Sequence, residues 1–283
     1  QQVDLIIATG SQANIRAAYS SGKPAFGVGA GNVAVIVDAS ADLAAAAERI
    51  VRSKMFDNAT SCSSENSVVI VDEVFDAMIA ALEAQGCMLL SADEKAQLQI
   101  VMFPSGKLSS SVTAKTAPEI AAIARLNRVA AARVLMVTET GVGTDYPFSG
   151  EKLSPVMTIY RATDFNAAAH VVNDIYTYQG AGHSVGIHAS PERADELALQ
   201  LGLTLPVARV IVNQAHCIAT GGSFDNGLPF SLSMGCGTWG GNSFSDNLTY
   251  RNFLNITRIA RPIPQNMPEE SVLFADYFSH VNR

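Results

Sequence analysis

The sequence predicts an α/β fold built on a parallel sheet. Apolar runs of strand length alternate with segments whose apolar residues have helical spacing, and this alternation is typical of strand–helix–strand units. Several runs are apolar throughout, such as the "VAVIV" within 33–38, which indicates strands covered on both faces. With 283 residues, 48% of them hydrophobic and 16% charged, the chain can form one large domain or two ordinary ones.

Seven strands are predicted. The first, "DLIIAT", ends in a glycine turn at Gly10. In chain order the strands are 4–9, 33–38, 67–72, 133–139, 156–162, 183–189 and 209–214. Because natural chains rarely begin inside a strand, we expect this chain to be a fragment of a longer protein.

Helices are predicted between the strands. Segment 41–56 follows Ser40, whose side chain suits a helix N-cap, and segment 73–86 ends in a glycine. The other segments are 118–126, 164–174 and 191–202, with a further helical pattern starting around Gln12. The part after about residue 240 is richer in Asn, Arg and Pro, and we interpret it as a surface-crossing or oligomerising tail.

Composition excludes several classes of function. The formal charge of −7 disfavours nucleic-acid binding. No apolar run reaches the roughly 18 residues of a membrane-spanning helix, and no signal peptide is visible. The four cysteines form no CxxC pair and no zinc-ligand spacing. We therefore expect a cytoplasmic protein with no metal site and no membrane or nucleic-acid partner.

Cys62 is the first candidate for chemistry. It lies in the small polar loop of "FDNATSCSSENSVVIVD" (56–72), just before a predicted strand. Such a loop can hold a thiol rigidly, with backbone N–H groups facing a developing oxyanion. The alternative is a small buried residue, because free cysteines are among the most buried types. Cys236, in the glycine-rich loop around Trp239, competes for the nucleophile role.

Two glycine-containing motifs could contact a ligand. The glycines of "GKPAFGVGAGNVAVIVD" (22–38) precede a strand, which is the wrong order for a Rossmann fingerprint, and no Walker Lys-Ser/Thr follows. They allow close approach of the backbone to a ligand or to another strand. In "IATGSQAN" (7–14) a strand meets a helix, which fits either a phosphate site or a plain turn.

Two titratable side chains precede predicted strands. Glu151, in "EKLSPV", is either solvated or accepts hydrogen bonds from ribose hydroxyls. His183, in "GAGHSVGIH", is either a structural histidine whose ring nitrogens are hydrogen-bonded within the protein or part of a functional site.

Taken in order, these motifs resemble the aldehyde dehydrogenase superfamily, and more narrowly its CoA-acylating branch. The motifs are "GKPA-GVGAGN", "FDN…C-SE", "EKLSPV", "G-GH" and "GxWGGNS", and the similarity spans nearly the whole chain. The resemblance implies an aldehyde dehydrogenase-like α/β fold in three parts. Residues 1–30 would end a Rossmann-type NAD(P)-binding domain that lies mostly upstream, 31–240 would form the parallel-sheet catalytic domain, and 241–283 a return or oligomerisation tail.

The resemblance also implies roles for individual residues. Cys62 matches the catalytic cysteine, while a second oxyanion donor, an asparagine, would lie upstream of Gln1. The residues that would contact NAD or NADP are Thr9, Gly10, Ser11, Gly29 and Glu151. The residues that would face substrate or CoA are Asn58, Thr60, Ser61, Ser63 and His183. CoA would be the co-substrate, and the protein a homodimer or homotetramer.

One departure from hydrolytic members of the superfamily is informative. These carry a general-base glutamate, and counting back from Asp38 its position falls on Gly27. An acyl group on Cys62 would then wait for CoA, whose thiolate needs little base catalysis. The expected activity is reversible oxidation of a short, possibly anionic aldehyde to its acyl-CoA. Sulfoacetaldehyde, succinate semialdehyde and acetaldehyde are the candidates.

Three alternatives remain open from the sequence. The chain could belong to a hydrolytic aldehyde dehydrogenase, to an acyl-phosphate reductase, or to a truncated member without catalysis.

Overall fold

The computed structural model describes residues 2–281, so Gln1, Asn282 and Arg283, where the predicted first and last segments begin and end, lie outside the described residues. The chain divides into two compact units, the first ending at Asn252 and the second beginning at Phe253.

The first unit opens with a small strand–helix–strand element. It consists of β1 (Ile6–Thr9), α1 (Gln12–Tyr19) and β2 (Ala25–Val28), and the two strands pair in parallel. The side chain of Ser11 caps α1 by accepting a hydrogen bond from the backbone N–H of Asn14.

The main sheet has seven strands, and every pairing within it is parallel. The strands are β3 (Val33–Val37), β4 (Glu65–Val71), β5 (Cys87–Leu89), β6 (Val134–Thr138), β7 (Val156–Ala162), β8 (Val185–His188) and β9 (Val210–Val212). Their spatial order is β5-β6-β7-β4-β3-β8-β9, which places β7, β4, β3 and β8 side by side in the middle.

Helices cover both faces of this sheet. They are α2 (Leu43–Met55), α3 (Phe75–Ala84), α4 (Ala92–Met102), α5 (Ala117–Ile123), α6 (Phe165–Tyr178), α7 (Pro191–Thr204) and α8 (His216–Thr220). Alternate residues of β3 point to opposite faces, as strand geometry requires. Val35 packs in a cluster with α2 and α3, whereas Ile36 packs in a cluster with α6 and α7. A third cluster lies under α4 and α5.

The predicted parallel α/β fold is confirmed. The helices and strands that the sequence patterns did not predict are short or have weak periodicity, namely β2, β5, α4, α8 and two short helices after residue 252. The N-cap expected at Ser40 is wrong. Asp42 caps α2 instead, because Ser40 is already bonded through both its backbone N–H and its hydroxyl to the Asp38 carboxylate.

The expected division into 1–30, 31–240 and 241–283 stays a prediction, while the first compact unit of the structure extends to Asn252. Residues 241–252 belong to the first unit, because their side chains are tied into it. The side-chain oxygen of Asn242 accepts hydrogen bonds from the N–H groups of Gly29 and Cys236, and the Asn247 oxygen accepts one from Arg209.

The second unit contains two short helices, α9 (Glu270–Leu273) and α10 (Ala275–Val281). Its described residues are almost all exposed, including the aromatic rings of Phe274 and Phe278, which stack edge-to-face on each other. Its expected role in oligomerisation stays a prediction. Between residues 2 and 281, no helix combines the length and apolarity needed to cross a membrane.

Candidate active site

The predicted site residues meet at one edge of the sheet. Gly31, Cys62, Glu151 and His183 each lie in a loop that immediately precedes one of the four central strands, β3, β4, β7 and β8. Because these neighbouring strands are parallel, the loops before them converge at the same edge.

A cavity of about 870 Å³ opens at this edge. Nine predicted residues line it: Thr9, Gly10, Ser11, Gly29, Thr60, Ser61, Cys62, Ser63 and Glu151. The others are Ala30, Phe56, Asp57, Leu153, Cys217, Gly221, Leu232 and Met234. The mixture of thiols, hydroxyls and apolar side chains suits a small organic ligand.

The loop that carries Cys62 has an unusual backbone. Three consecutive residues, Asp57, Asn58 and Ala59, have φ values of 49°, 49° and 58°. Non-glycine residues rarely adopt this left-handed conformation, and such strain concentrates at functional sites. The strained turn re-aims the chain just before Cys62, whose thiol is partly buried at the cavity wall.

The Cys62 thiol contacts an imidazole. Its Sγ lies 3.3 Å from Nε2 of His183, whose side chain is fully buried. The other ring nitrogen, Nδ1, lies 2.7 Å from the hydroxyl of Ser184, and that hydroxyl lies 2.8 Å from Nε2 of His216. A continuous chain of polar contacts therefore runs from the thiol into the protein interior.

Both members of the first pair are neutral at rest. Burial, followed by the nearby Glu151 carboxylate, raises the pKa of Cys62 to about 12. Burial, followed by the positive charge of Arg209, lowers the pKa of His183 to about 3. At rest the thiol therefore keeps its proton and the imidazole is unprotonated, with Nε2 within contact distance of Sγ.

Glu151 lies in the same cavity wall. Burial raises the pKa of its carboxyl to about 7, while Lys54, Lys152 and the Gly31 N–H oppose that shift. Its backbone N–H donates to Oε1 of Gln179 at 3.3 Å. The carboxyl therefore titrates near neutral pH and changes the charge facing Cys62 as it does.

The part of the cavity lined by the start of α1 suits the phosphate of a nucleotide. Thr9, Gly10 and Ser11 lie where β1 ends and α1 begins, and the first turn of α1 carries no acidic residue. The unpaired N–H groups of a helix N-terminus favour a phosphate. At Gly29 an added Cβ would lie 3.4 Å from the carbonyl oxygen of Gly240, in ordinary van der Waals contact, so this backbone lies close to the glycine-rich loop. These residues and the Glu151 carboxyl could hold the phosphate and ribose of NAD or NADP.

A buried polar cluster supports the nucleophile loop from behind. The hydroxyl of Ser53 donates to Glu65 at 2.6 Å and accepts from the backbone N–H of Cys217 at 2.7 Å. Burial raises the pKa of Glu65 to about 7 and lowers that of the neighbouring Lys54 to about 8. The cluster joins α2, β4 and α8, and so fixes the loop between them.

Three positions considered from the sequence lie outside the cavity lining. Asn58 does not line the cavity, because its side chain turns outward and donates to the carbonyl of Ala114 at 3.2 Å. Cys236 is fully buried and absent from the cavity lining, so it does not compete with Cys62. A side chain at Gly27 would point at α1, with its Cβ 2.5 Å from Ile15 and 2.8 Å from the Tyr19 hydroxyl. Position 27 therefore does not face Cys62.

Two residues at the site escaped the sequence patterns. His216 and Cys217 stand together in "NQAHCIATGG", after a predicted strand. The sequence signal that could have identified them is a histidine directly followed by a cysteine just after a predicted strand. Within residues 2–281, no group of three or more His, Cys, Asp or Glu side chains is arranged to hold a metal ion.

Comparisons with known proteins show the family to which the chain belongs. The profile of the "Aldehyde dehydrogenase family" matches residues 1–104. The chain is 64% identical to a sulfoacetaldehyde dehydrogenase (acylating) of Cupriavidus necator, over 100% of this chain and 57% of the relative. It is 38% identical to a succinate-semialdehyde dehydrogenase (acetylating) of Clostridium kluyveri, over 92% of this chain and 56% of the relative.

A solved structure also matches. The crystal structure of an acetylating aldehyde dehydrogenase from Geobacillus thermoglucosidasius superposes with a TM-score of 0.88 at 35% identity. The match covers 95% of this chain and 58% of that one. The chain therefore spans less than two thirds of the length of each of these relatives.

Proposed function

The chain belongs to the aldehyde dehydrogenase superfamily, on its CoA-acylating branch, and we propose that the protein oxidises a short anionic aldehyde to its acyl-CoA, with Cys62 as the nucleophile. The observation that carries the proposal is the contact at 3.3 Å between the Cys62 thiol, which lines the large cavity, and the fully buried, neutral imidazole of His183, which is not itself in the lining.

The first step needs a base. As Sγ of Cys62 attacks the aldehyde carbon, Nε2 of His183 takes the thiol proton, and a thiohemiacetal forms. The backbone N–H of Cys62 is available to stabilise the oxyanion. Bound NAD or NADP would supply the hydride acceptor that turns this adduct into a thioester.

The second step returns the enzyme to its starting state. The thiol of CoA attacks the thioester carbon on Cys62, and the acyl group moves to CoA. The proton that His183 took from Cys62 in the first step is first released to solvent, as the one proton that oxidation of the aldehyde liberates. The neutral ring then takes the proton of the CoA thiol and passes it to the departing Cys62 sulfur. This thioester exchange is reversible, since bonds of the same kind break and form.

Sulfoacetaldehyde is the proposed substrate because the relative named for it is 64% identical to this chain over the 285 aligned residues. No Lys or Arg is among the residues of the described chain that line the cavity. A sulfonate would therefore be held by neutral donors, and the hydroxyls of Thr60, Ser61 and Ser63 lie beside the nucleophile. Succinate semialdehyde, which the Clostridium kluyveri relative is named for, is the second candidate.

The preference for CoA over water is supported by the acylating relatives. The glycine at position 27 adds no support, because that position does not face the thioester. Glu151 is the carboxyl that lies near Cys62, and we assign it to the cofactor ribose. The expected homodimer or homotetramer stays a prediction.

The test is a steady-state assay of the natural full-length protein. We expect NAD(P)H to form from sulfoacetaldehyde only when CoA is present, and faster than from succinate semialdehyde or acetaldehyde. Equal turnover to the free acid without CoA would show a hydrolytic enzyme, and phosphate replacing CoA would show an acyl-phosphate reductase. Absence of NAD(P) binding would favour a non-catalytic member.

A further inference from the structure

His216 is the buried end of the polar chain that starts at Cys62. Its ring is 1% exposed, and Nε2 lies 2.8 Å from the Ser184 hydroxyl. The other nitrogen, Nδ1, has no hydrogen-bond partner in the described part of the chain. It faces Gly186, where an added Cβ would lie 2.8 Å from it. The backbone thus leaves room for an imidazole whose single hydrogen bond goes to Ser184.

The position of Ser184 is fixed independently of His216. Its carbonyl accepts a hydrogen bond from the Tyr176 hydroxyl at 2.6 Å, and the carbonyl of the preceding His183 accepts one from Arg209 at 3.3 Å. The Ser184 hydroxyl oxygen is therefore fixed between the two imidazoles, and only the direction of its O–H bond can change.

If Nε2 of His183 is a base, counting protons along the chain gives each atom one role and puts the proton of the neutral His216 ring on Nδ1, which has no partner among the described residues. A base at Nε2 of His183 must present a lone pair to the Cys62 thiol, so the single proton of the neutral ring must be on Nδ1. That N–H can donate to Ser184 only if the hydroxyl proton points elsewhere. The lone pair on Nε2 of His216 is the acceptor that takes it.

We propose that His216 is a positioning residue for the nucleophile: by accepting the Ser184 hydroxyl proton, it keeps the proton of His183 on Nδ1 and leaves Nε2 free to take the proton of Cys62. Without His216 the hydroxyl would turn and donate to Nδ1. His183 would then present an N–H to the thiol and could not act as its base.

The electrostatic surroundings keep His216 in the role of acceptor. Burial, then the neighbouring His183, His188 and Arg209, hold its pKa well below the usual range. A positive charge on this ring is therefore disfavoured, and the proton of Cys62 does not travel through to it. The inference rests on the proposed role of Cys62 as nucleophile, but not on the identity of the aldehyde or of the acyl acceptor.

The test measures alkylation of Cys62 by iodoacetamide in the natural full-length protein, from about pH 6 to about pH 9. Peptide mass spectrometry separates Cys62 from the other cysteines of the protein, including Cys87, Cys217 and Cys236. Alkylation needs no aldehyde, cofactor or CoA, so it stays interpretable if the proposed function fails. We expect His216→Leu to slow alkylation about 10-fold, as expected for a weakened base. His216→Gln keeps a carbonyl acceptor and should stay within about threefold of the wild type.

The matched control is His188→Leu. This imidazole is also buried, with an Nδ1 that has no partner in the described chain, but it is not bonded to Ser184. Its replacement should leave the alkylation rate unchanged. If His216→Leu does not fold, Ser184→Ala interrupts the same chain from the middle and should slow alkylation to a similar extent.

A second readout reports the tautomer directly. In protein labelled with 15N-histidine, and assigned with a His183→Gln variant, we expect the wild-type proton on Nδ1 of His183 and a shift toward Nε2 in His216→Leu. A wild-type proton on Nε2, unchanged alkylation in His216→Leu or Ser184→Ala, or equal slowing by His188→Leu would each overturn the proposal.

Discussion

The backbone of Gly31 packs directly against the carbonyl of Cys62: a Cβ added at position 31 would overlap that oxygen and lie 3.2 Å from the Cβ of Cys62. Gly31→Ala should therefore displace the nucleophile loop and lower kcat by at least about 10-fold, since a small misplacement of a reacting group is expensive. Gly227→Ala is the control, because nothing lies within 4 Å of a Cβ there. Equal kcat in the two variants would contradict the packing.

Replacing Cys62, Cys236 or Cys217 by serine should have different effects on the reaction. Cys62→Ser should abolish formation of an acyl-enzyme, measured by intact mass after mixing with aldehyde and cofactor. Cys236→Ser should retain it, because that thiol lies outside the cavity lining. Cys217→Ser should lower the rate less than about 10-fold, since its thiol touches Ser63 at 3.5 Å rather than the reacting carbon. Loss of the acyl-enzyme only in Cys236→Ser would reassign the nucleophile.

Replacing Glu151 should make Cys62 more reactive in a pH-dependent way. Above its pKa of about 7 the Glu151 carboxylate disfavours the nearby thiolate, and below it the carboxyl is neutral. Glu151→Gln should therefore speed alkylation of Cys62 at about pH 8.5 and leave it unchanged at about pH 6. The same variant should bind cofactor more weakly if Glu151 contacts the ribose. Glu192→Gln, on the exposed first turn of α7, should change neither.

Adding a carboxylate at position 27 should not create a hydrolase. The side chain of Gly27→Glu would enter the space of Ile15 and Tyr19, so the variant should lose stability. Release of free acid without CoA should stay at the wild-type level, in an assay that separates acid from acyl-CoA. Efficient CoA-independent release would show that position 27 reaches the thioester after all.

The buried His188 should make the fold sensitive to acid. Burial, then Arg49, lowers its pKa from 6.5 to about 4, so the unfolded chain binds a proton between these values and the folded chain does not. The free energy of unfolding therefore falls as the pH drops, beginning near 6.5 and ending below about 4. Urea titrations from about pH 7 to about pH 5 should show wild type losing about 2 kcal/mol more than His188→Leu. Parallel loss in both proteins would contradict this.

Much of the site could be predicted because its residues share a local signature. Gly31, Cys62, Glu151 and His183 all immediately precede apolar strands, and each motif was recognisable in its own segment. What the patterns could not supply was the strand order, which depends on pairings between distant segments rather than on local periodicity. In that order β3 lies between β4 and β8. The loop that carries Cys62 before β4 and the loop that carries His183 before β8 are therefore brought close together.

The failures have local physical causes. Ser40 suits a helix N-cap, but its backbone N–H and its hydroxyl both donate hydrogen bonds to the Asp38 carboxylate instead. Gly27 was placed by counting along the chain, and the count does not say which face of the short strand β2 a side chain takes. His216 lies in a five-residue helix with too few positions to show periodicity.

The distance along the chain between Cys62 and His183, 121 residues, has a consequence for assembly. A parallel sheet closes long loops before its strands pair, so such contacts form late and slowly. A newly made chain therefore carries an ordinary, unactivated thiol until β4, β3 and β8 have come together. Reactivity in this molecule is a property of its completed topology, acquired together with native cooperativity and lost with it.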